Sequence, residues 1–526
     1  MEWTIKNPIL PGFNPDPCMI RVEDTYYIAV SSFEWMPGIR IYTSTDLVNW
    51  EYRTDILTDQ VNLQGNGINC SIWAPQLSYA DGQFHLLYTD VKSSVRPFKD
   101  THNFLISAPS IKGPWSEPIY LNSSGFDPSL FHDENGRKWL SNALWDYRMD
   151  TPNKSSGIVI QEYDSEKKAL IGNPVKIFDC TELGKTEAPH LYQRGGYYYL
   201  VMAEGGTSSG HSVTIARSRE VTGPYEVDPH YPMMTSSQNP EAALQCAGHA
   251  SLVETPEGEW YIAHLMSRPL KGQHAILGRE TSLQKVEWDE EGWLRLAHGG
   301  VVPAVEVPAP KGFKGPVKER NTDFRDDFDG PELEKNWNSL RMMPDESWCS
   351  LKEKPGKLRL YGGESLHSFF RHHLVGIRQT DFSFRAETSV SFAPTSYLQM
   401  AGLLLFLNPE NYLYAYLTDE DGQTVLRLME ARNGEFQILE PKVILSSSEL
   451  ELAVSGEAET GSFYYRLPGE TDWNVLAENF DLTFLSGGFT GNFIALACHD
   501  MNQYRGCHAD FDFFSYKGND NRKNLD

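Results

Sequence analysis

The stretch NPDPCMIRVEDTYYIAVS (residues 14–31) recurs in altered form four more times. The echoes are IWAPQLSYADGQFHLLYT (72–89), FDPSLFHDENGRKWLSN (126–142), EAPHLYQRGGYYYLVMA (187–203) and AGHASLVETPEGEWYIAH (247–264). Each opens on a small or acidic residue, usually followed by Pro, then an apolar run, a turn and an aromatic strand. The aligned positions Pro17, Pro75, Pro128, Pro189 and Ala250 lie 58, 53, 61 and 61 residues apart. The turns carry Glu23-Asp24, Asp81-Gly82, Asn135-Gly136, Gly195-Gly196 and Glu257-Gly258, which between alternating apolar runs are hairpin signals. A second echo, STDLVNW from Ser44, SAPSIKGPW from Ser107 and SREVTGPY from Ser218, reads as the end of a third strand and the approach to an outer one. Residues 1–300 show no strong helical periodicity. Five units with room for four strands each predict an all-β, five-bladed β-propeller.

Outward from the repeats the pattern changes. Residues 301–325 are rich in Pro, Lys and Arg and read as a semi-rigid linker. Residues 326–516 alternate apolar and polar in segments such as GLLLFLNPENYLYAYL and ADFDFFSYK, as in an antiparallel β-sandwich. Residues 517–526 read as a polar tail.

The chain has 526 residues and a formal charge of −25, from 46 Lys and Arg against 71 Asp and Glu. That balance argues against nucleic acid and anionic membrane surfaces as partners. No apolar run approaches the ~20 residues that a membrane-spanning helix needs. The seven cysteines are scattered, with no C-x-x-C pair, so neither a disulfide framework nor a zinc site is expected. The first residues, MEWTIKNPILPG, have neither the basic nor the apolar region of a signal peptide, and a cytoplasmic location is expected.

The innermost strand of each propeller blade starts near the central axis, so equivalent positions of different blades converge. Just before the aligned Pro or Ala stand Asp16, Ala74, Asp127, Ala188 and His249; one residue earlier stand Pro15, Trp73, Phe126, Glu187 and Gly248. Three carboxylates, a Trp and a His are thereby brought to one mouth of the axis. Clustered carboxylates repel, so at least one should hold its proton at raised pH. A proton-bearing acid beside ionised carboxylates is the equipment for glycoside cleavage: one group protonates the leaving oxygen, another activates water or attacks carbon. The competing explanation, acids that only cap turns, suits one Asp-Pro better than three acids at matched positions. His249 is open to several readings: a substrate contact, a protonated partner of the acids, or an axial ligand to a divalent cation, for which an oxygen-rich shell would suit Ca²⁺.

With these residues in view, GFNPDPCMIRVEDTYYIAVSSFEWMPGIRIYTSTDLVNW resembles the opening of glycoside hydrolase family 43, and SIWAPQL, GFDPSLF, KTEAPHLY and LGRETSLQKVEW resemble its β-xylosidase branch, which carries a C-terminal β-sandwich. The resemblance covers residues 1–516. It implies inversion at the anomeric centre, with Asp16 as general base, Glu187 as general acid and Asp127 tuning and orienting the acid. It further implies Arg279 on substrate hydroxyls, Phe33 and Trp73 as aromatic walls, and a sandwich-domain Phe from GGFTGNF closing the pocket: Phe489 or Phe493, of which Phe493 is preferred.

The expected function is exo-acting release of xylose from short β-1,4-xylo-oligosaccharides, with α-L-arabinofuranosidase as side activity or as the alternative main activity. A retaining fructan- or sucrose-cleaving propeller fits the local motifs less well. A purely carbohydrate-binding role does not need three converging carboxylates. No cofactor is expected to be required, a Ca²⁺ at the propeller axis excepted, and a dimer or tetramer of identical chains is expected.

Overall fold

The second strands of the repeats are buried along most of their length. Gln83–Ser93 and Trp260–Ser267 are buried on both faces, because neighbouring blades cover both sides of any strand near the axis. Outer strands such as Ala169–Phe178 are mostly exposed. The computed structural model of the chain describes residues 3–270 and 273–519. Among these residues there is no α-helix, and five antiparallel sheets form blades I–V in chain order. Their inner strands are Cys18–Val22, Ser71–Ala80, Gly125–His132, Glu187–Arg194 and Gln245–Glu254. Each pairs with the next strand of its repeat, as expected. The tight turns at Asp81-Gly82 (φ 55° and 73°) and Gly195-Gly196 (φ 58° and 74°) have both central residues left-handed, the geometry that matches strand twist in a two-residue hairpin. The serine echo also has a local cause: Ser44 Oγ accepts the N–H groups of Asp46 and Leu47, and Ser218 Oγ accepts that of Glu220, starting the turn after the third strand.

The ring closes between blades I and V without a shared strand. Ser251 Oγ accepts the Met19 N–H at 2.8 Å and donates to the Pro17 carbonyl at 2.9 Å. The linker is docked rather than free. Its Glu306–Pro308 pairs with Thr4–Lys6, and Lys318 N–H donates to Asn49 Oδ1 at 2.8 Å.

The sandwich has two sheets. One includes Leu358–Tyr361, His508–Asn519, Ser383–Phe392 and Glu449–Glu457. The other runs from Glu435–Ile444 at one edge through Asn411–Glu420 and Gln399–Asn408 to Asn338–Leu340. This second sheet does not end within the sandwich: Trp35–Met36, from blade I, adds itself to Ser339 and Leu340 as the last strand. The hydrophobic pattern of each part alone could not reveal that pairing. The final strand also reaches further than expected. Lys517 and Gly518, read as the start of a polar tail, pair with Arg385 and Phe384, because backbone pairing inside a sheet continues whether or not the side chains are apolar. Residues 520–526 of that tail lie outside the described residues.

The outer face of the second sheet packs on the propeller. Trp35 stacks on Phe493 at 3.5 Å between ring centroids and 13° between planes. Gly278 and Gly491 meet backbone to backbone, so closely that a Cβ on Gly278 would lie 2.7 Å from the Gly491 Cα. Loop 487–491 of the sandwich is thereby laid over the mouth of the propeller.

Candidate active site

Each inner strand except that of blade I breaks register where the aligned residues stand: between Trp73 and Gln76, Phe126 and Ser129, Glu187 and His190, and Gly248 and Ala250. Asp16, Asp127, Ala188 and His249 all adopt left-handed backbone, with φ between 49° and 54°. A non-glycine residue there carries strain of order 1 kcal/mol or more, and a bulge re-aims the side chain at a strand end. Repeated around the ring, the device turns side chains from the sheet toward the axis. The result is a cavity of about 800 Å³ lined by Asp16, Phe33, Trp73, Asp127, Glu187, His249 and Arg279. Asp16 and Arg279, 263 positions apart in sequence, are thus brought into one site.

Asp16 is the most heavily bonded of the acids. Ser31 Oγ donates to its Oδ2 at 2.5 Å, and Arg279 donates from Nη1 to Oδ1 at 2.9 Å and from Nη2 to Oδ2 at 3.4 Å. Burial pushes its pKa up, but Arg279, His249 and the Ser31 hydrogen bond outweigh that, and the net shift is below the usual carboxylate value. Asp16 is therefore an ionised carboxylate at neutral pH.

Glu187 is the opposite case. Its carboxyl has no hydrogen-bond partner among the described residues. Burial raises its pKa, opposed by Lys99 and reinforced by the charge of Asp16, to about 7. Asp127 is pushed well above the ordinary value by burial and then by the charges of Glu187 and Asp16. Its Oδ2 accepts the Ala188 N–H at 3.1 Å, which ties it to the backbone beside Glu187. Two such neighbours titrate as a pair, so the site holds one fixed anion and a proton-bearing pair, the division that glycoside hydrolysis uses.

The walls are aromatic. Phe33 lies 6.2 Å from Trp73 and 5.7 Å from Phe489; Trp73 lies 5.6 Å from Phe489. The closing residue is thus Phe489. The preferred choice, Phe493, is corrected: it is fully buried, opens a strand and is held in the interface by Trp35. Phe489, in the preceding loop, faces the cavity.

Arg279 does more than was expected of it. Besides Asp16 it donates through Nε to the Phe489 carbonyl at 3.0 Å and through Nη1 to Thr207 Oγ1 at 3.3 Å. His249 Nδ1 sits 3.6 Å from Asp16 Oδ1. Burial lowers its pKa, with Asp16 opposing and Arg279 assisting, so the imidazole is neutral at neutral pH and the protonated reading is not supported. Nor do the residues there fit a Ca²⁺ shell: among the described residues no group of three or more His, Cys, Asp or Glu is arranged to hold a metal ion, and the nearest carboxylate, Asp16, is already taken by Arg279 and Ser31.

Lys99 was missed. Its ammonium lies 4.6, 4.3 and 4.2 Å from the ring centroids of Trp73, Phe126 and Trp145. Burial brings its pKa down to about 8 against the pull of Glu187 and Asp127. A lone Lys between strands carries no sequence signal. Trp145 did carry one, since it ends the second strand of blade III, and second strands of antiparallel blades finish at the mouth where inner strands begin.

Known proteins agree with this architecture over its whole length. A solved xylan β-1,4-xylosidase from Bacillus halodurans is 47% identical, with a TM-score of 0.95 over 98% of this chain and 100% of that one. A β-xylosidase of Bacillus subtilis is 42% identical over 98% of this chain and 99% of its own. A non-reducing-end α-L-arabinofuranosidase of Bacteroides ovatus is 31% identical over 98% and 95%. Two family models match in chain order: glycosyl hydrolases family 43 over residues 5–294, and the β-xylosidase C-terminal concanavalin A-like domain over residues 325–517. With the propeller carrying the first and the sandwich the second, the chain belongs to glycosyl hydrolase family 43.

Proposed function

We propose that this glycoside hydrolase is an exo-acting β-xylosidase that releases xylose from the non-reducing ends of short β-1,4-xylo-oligosaccharides with inversion. The observation that carries the reading is the contrast within one cavity between Asp16, held ionised by Arg279, and Glu187, held at about 7. Asp16 takes the proton of an attacking water. Glu187 gives its proton to the glycosidic oxygen. Burial and the charge of Asp16 keep that proton on Glu187 beforehand, and Asp127, through its hold on the Ala188 N–H, orients the acid. Phe489 and Phe33 wall off one end of the pocket, so a chain end enters and a chain middle does not. Hydrolysis of an aryl β-xyloside, whose leaving group is not a sugar, followed by NMR from the first seconds, tests the reading. α-Xylose is expected first; β-xylose first, or a trapped ester on Asp16, rejects inversion and the role of Asp16.

A second activity, on α-L-arabinofuranosides, is supported by the relative from Bacteroides ovatus. Xylopyranose and arabinofuranose present similar hydroxyls to a shared pocket. Paired aryl β-xyloside and aryl α-L-arabinofuranoside assays rank the two; a larger kcat/KM on the arabinoside would reverse the proposal.

A cytoplasmic setting is proposed on the free state of all seven cysteines. Assembly into a dimer or tetramer is proposed on the edge strand Glu435–Ile444, whose Phe436, Ile438 and Ile444 are exposed. A single-chain mass by light scattering would reject assembly.

A further inference from the structure

Two walls of the pocket come from different domains, and one side chain outside the cavity joins them. Asn69 lies in the loop before the inner strand of blade II. Its Oδ1 accepts the Phe489 N–H at 2.9 Å, across 420 residues of sequence. Its main-chain carbonyl accepts Trp73 Nε1–H at 3.0 Å. Asn69 has φ 59°, a left-handed conformation that Asn adopts more readily than most residues. The partner loop is shaped to receive it: a Cβ on Gly488 would lie 2.9 Å from Asn69 Oδ1. Gly487 and Gly488, with φ 97° and 71°, let the sandwich loop turn directly onto the carboxamide.

The Asn69 loop is itself clamped. Arg341, from the sandwich, donates through Nε to the Asn66 carbonyl at 2.8 Å. Glu34, next to the wall residue Phe33, accepts the Cys70 N–H at 3.3 Å and lies 3.9 Å from Arg341 Nη2. Asn66 Nδ2 donates to Ser71 Oγ and Asp90 Oδ1 at 3.1 and 3.2 Å. The carboxamide of Asn69 therefore projects from a fixed base. On the sandwich side, the backbone of Phe489 is held at two points among the described residues: its carbonyl by Arg279 and its N–H by Asn69.

We infer that Asn69 is a specificity-determining positioning residue: it sets the distance between Phe489 and Trp73 and so keeps the closed end of the pocket the size of one terminal sugar. The inference rests on the proposed exo-xylosidase reading. Its consequence concerns substrate range rather than chemistry, since Asn69 touches none of the three acids. If the N–H anchor is lost, the aromatic end wall swings on Arg279 alone. The terminal sugar is then held less tightly, and a longer chain passes the wall.

Asn69→Gly is the direct test, because Gly keeps the left-handed backbone and the Trp73 contact while deleting the carboxamide. Asn69→Asp retains an acceptor for Phe489 N–H, and Gly488→Ala pushes the same contact apart from the other side. Kinetics on xylobiose and product analysis on an aryl β-xylobioside are compared with wild type. The expected result for Asn69→Gly and Gly488→Ala is a KM for xylobiose raised about 5- to 20-fold with kcat changed less than about 3-fold. Direct release of xylobiose from the aryl xylobioside, absent in wild type, should also appear. Asn69→Asp should stay close to wild type in both. Unchanged KM and no xylobiose release in the Gly variant overturns the inference, as does an equal loss in Asn69→Asp. If wild type itself fails to cleave xylobiose, the functional reading fails instead, and that outcome is separate.

Discussion

Arg279 grips both oxygens of Asp16, at 2.9 and 3.4 Å, while holding the carbonyl of Phe489 at 3.0 Å. One guanidinium therefore sets the charge of the proposed base and the position of the wall that closes the pocket. This planar fork suits a carboxylate in a way an ammonium does not.

Arg279→Met should raise the pKa of Asp16, because burial, the largest influence on it, is then opposed only by the smaller effects of His249, Ser31 and His211. The acid limb of kcat/KM should move to higher pH, and activity at pH 7 should fall by about two to three orders of magnitude. Arg279→Lys should recover the charge but not the geometry. A pH profile with an unmoved acid limb would show that Arg279 does not control Asp16.

Lys99→Met removes a positive charge beside Glu187 and Asp127. Neutral acids are then favoured further, so the alkaline limb of kcat/KM should shift upward by about one unit, with a lower kcat from loss of packing on Trp73, Phe126 and Trp145. An alkaline limb that stays in place would remove Lys99 from the proton balance of the site.

Glu187 illustrates a conflict between stability and activity. Its pKa is raised in the folded chain from 4.5 to about 7. For such an acid the native state favours the neutral form, so its contribution to stability is fully present below 4.5 and is lost as pH rises through about 7. Glu187→Gln, which is permanently neutral, should raise Tm at pH 8 by a few degrees and leave Tm at pH 4 unchanged. Glu187→Ala should abolish cleavage of xylobiose yet largely spare aryl xylosides with strongly acidic leaving groups, which need little protonation. Equal loss on both substrates would count against Glu187 as the acid.

The propeller and the three acids were legible because a repeat reports on itself: Asp16, Asp127 and Glu187 align with Pro17, Pro128 and Pro189 whatever lies between them. Contacts made once leave no such trace. Trp35–Met36 joining the sandwich sheet, Asn69 meeting Phe489 and Lys99 in its aromatic cage each depend on how two domains or two loops meet. Nothing in the local pattern marks them. The choice between Phe489 and Phe493 failed for the same reason. Both lie in one short motif, and only the stack of Trp35 on Phe493 shows which ring the interface takes.

Exhaustive chelation should leave kcat/KM on xylobiose unchanged. His249 faces Asp16, whose oxygens are taken by Arg279 and Ser31, which leaves no oxygen-rich shell for a hard cation. Activity lost on chelation and restored by Ca²⁺ would overturn this.

Removal of residues 320–526 is the broadest test of how the two parts cooperate. The propeller would keep Asp16, Asp127, Glu187 and Arg279. It would lose Phe489 from the pocket wall and the acceptor of Arg279 Nε. It would also lose the sheet that pairs with Trp35–Met36 and the ring that stacks on Trp35, a side chain now 1% exposed. Arg378, whose Nε donates to the Phe13 carbonyl at 2.9 Å, steadies the approach to Asp16 and would go as well. An apolar face that includes Phe13, Phe33 and Trp35 would then meet water, and patches of that kind drive association. The truncated propeller should aggregate or, if kept soluble by dilution, bind a hydrophobic dye and fall below about 1% of full-length activity on xylobiose. A monodisperse fragment with full activity would show that the sandwich neither closes the pocket nor supports the base.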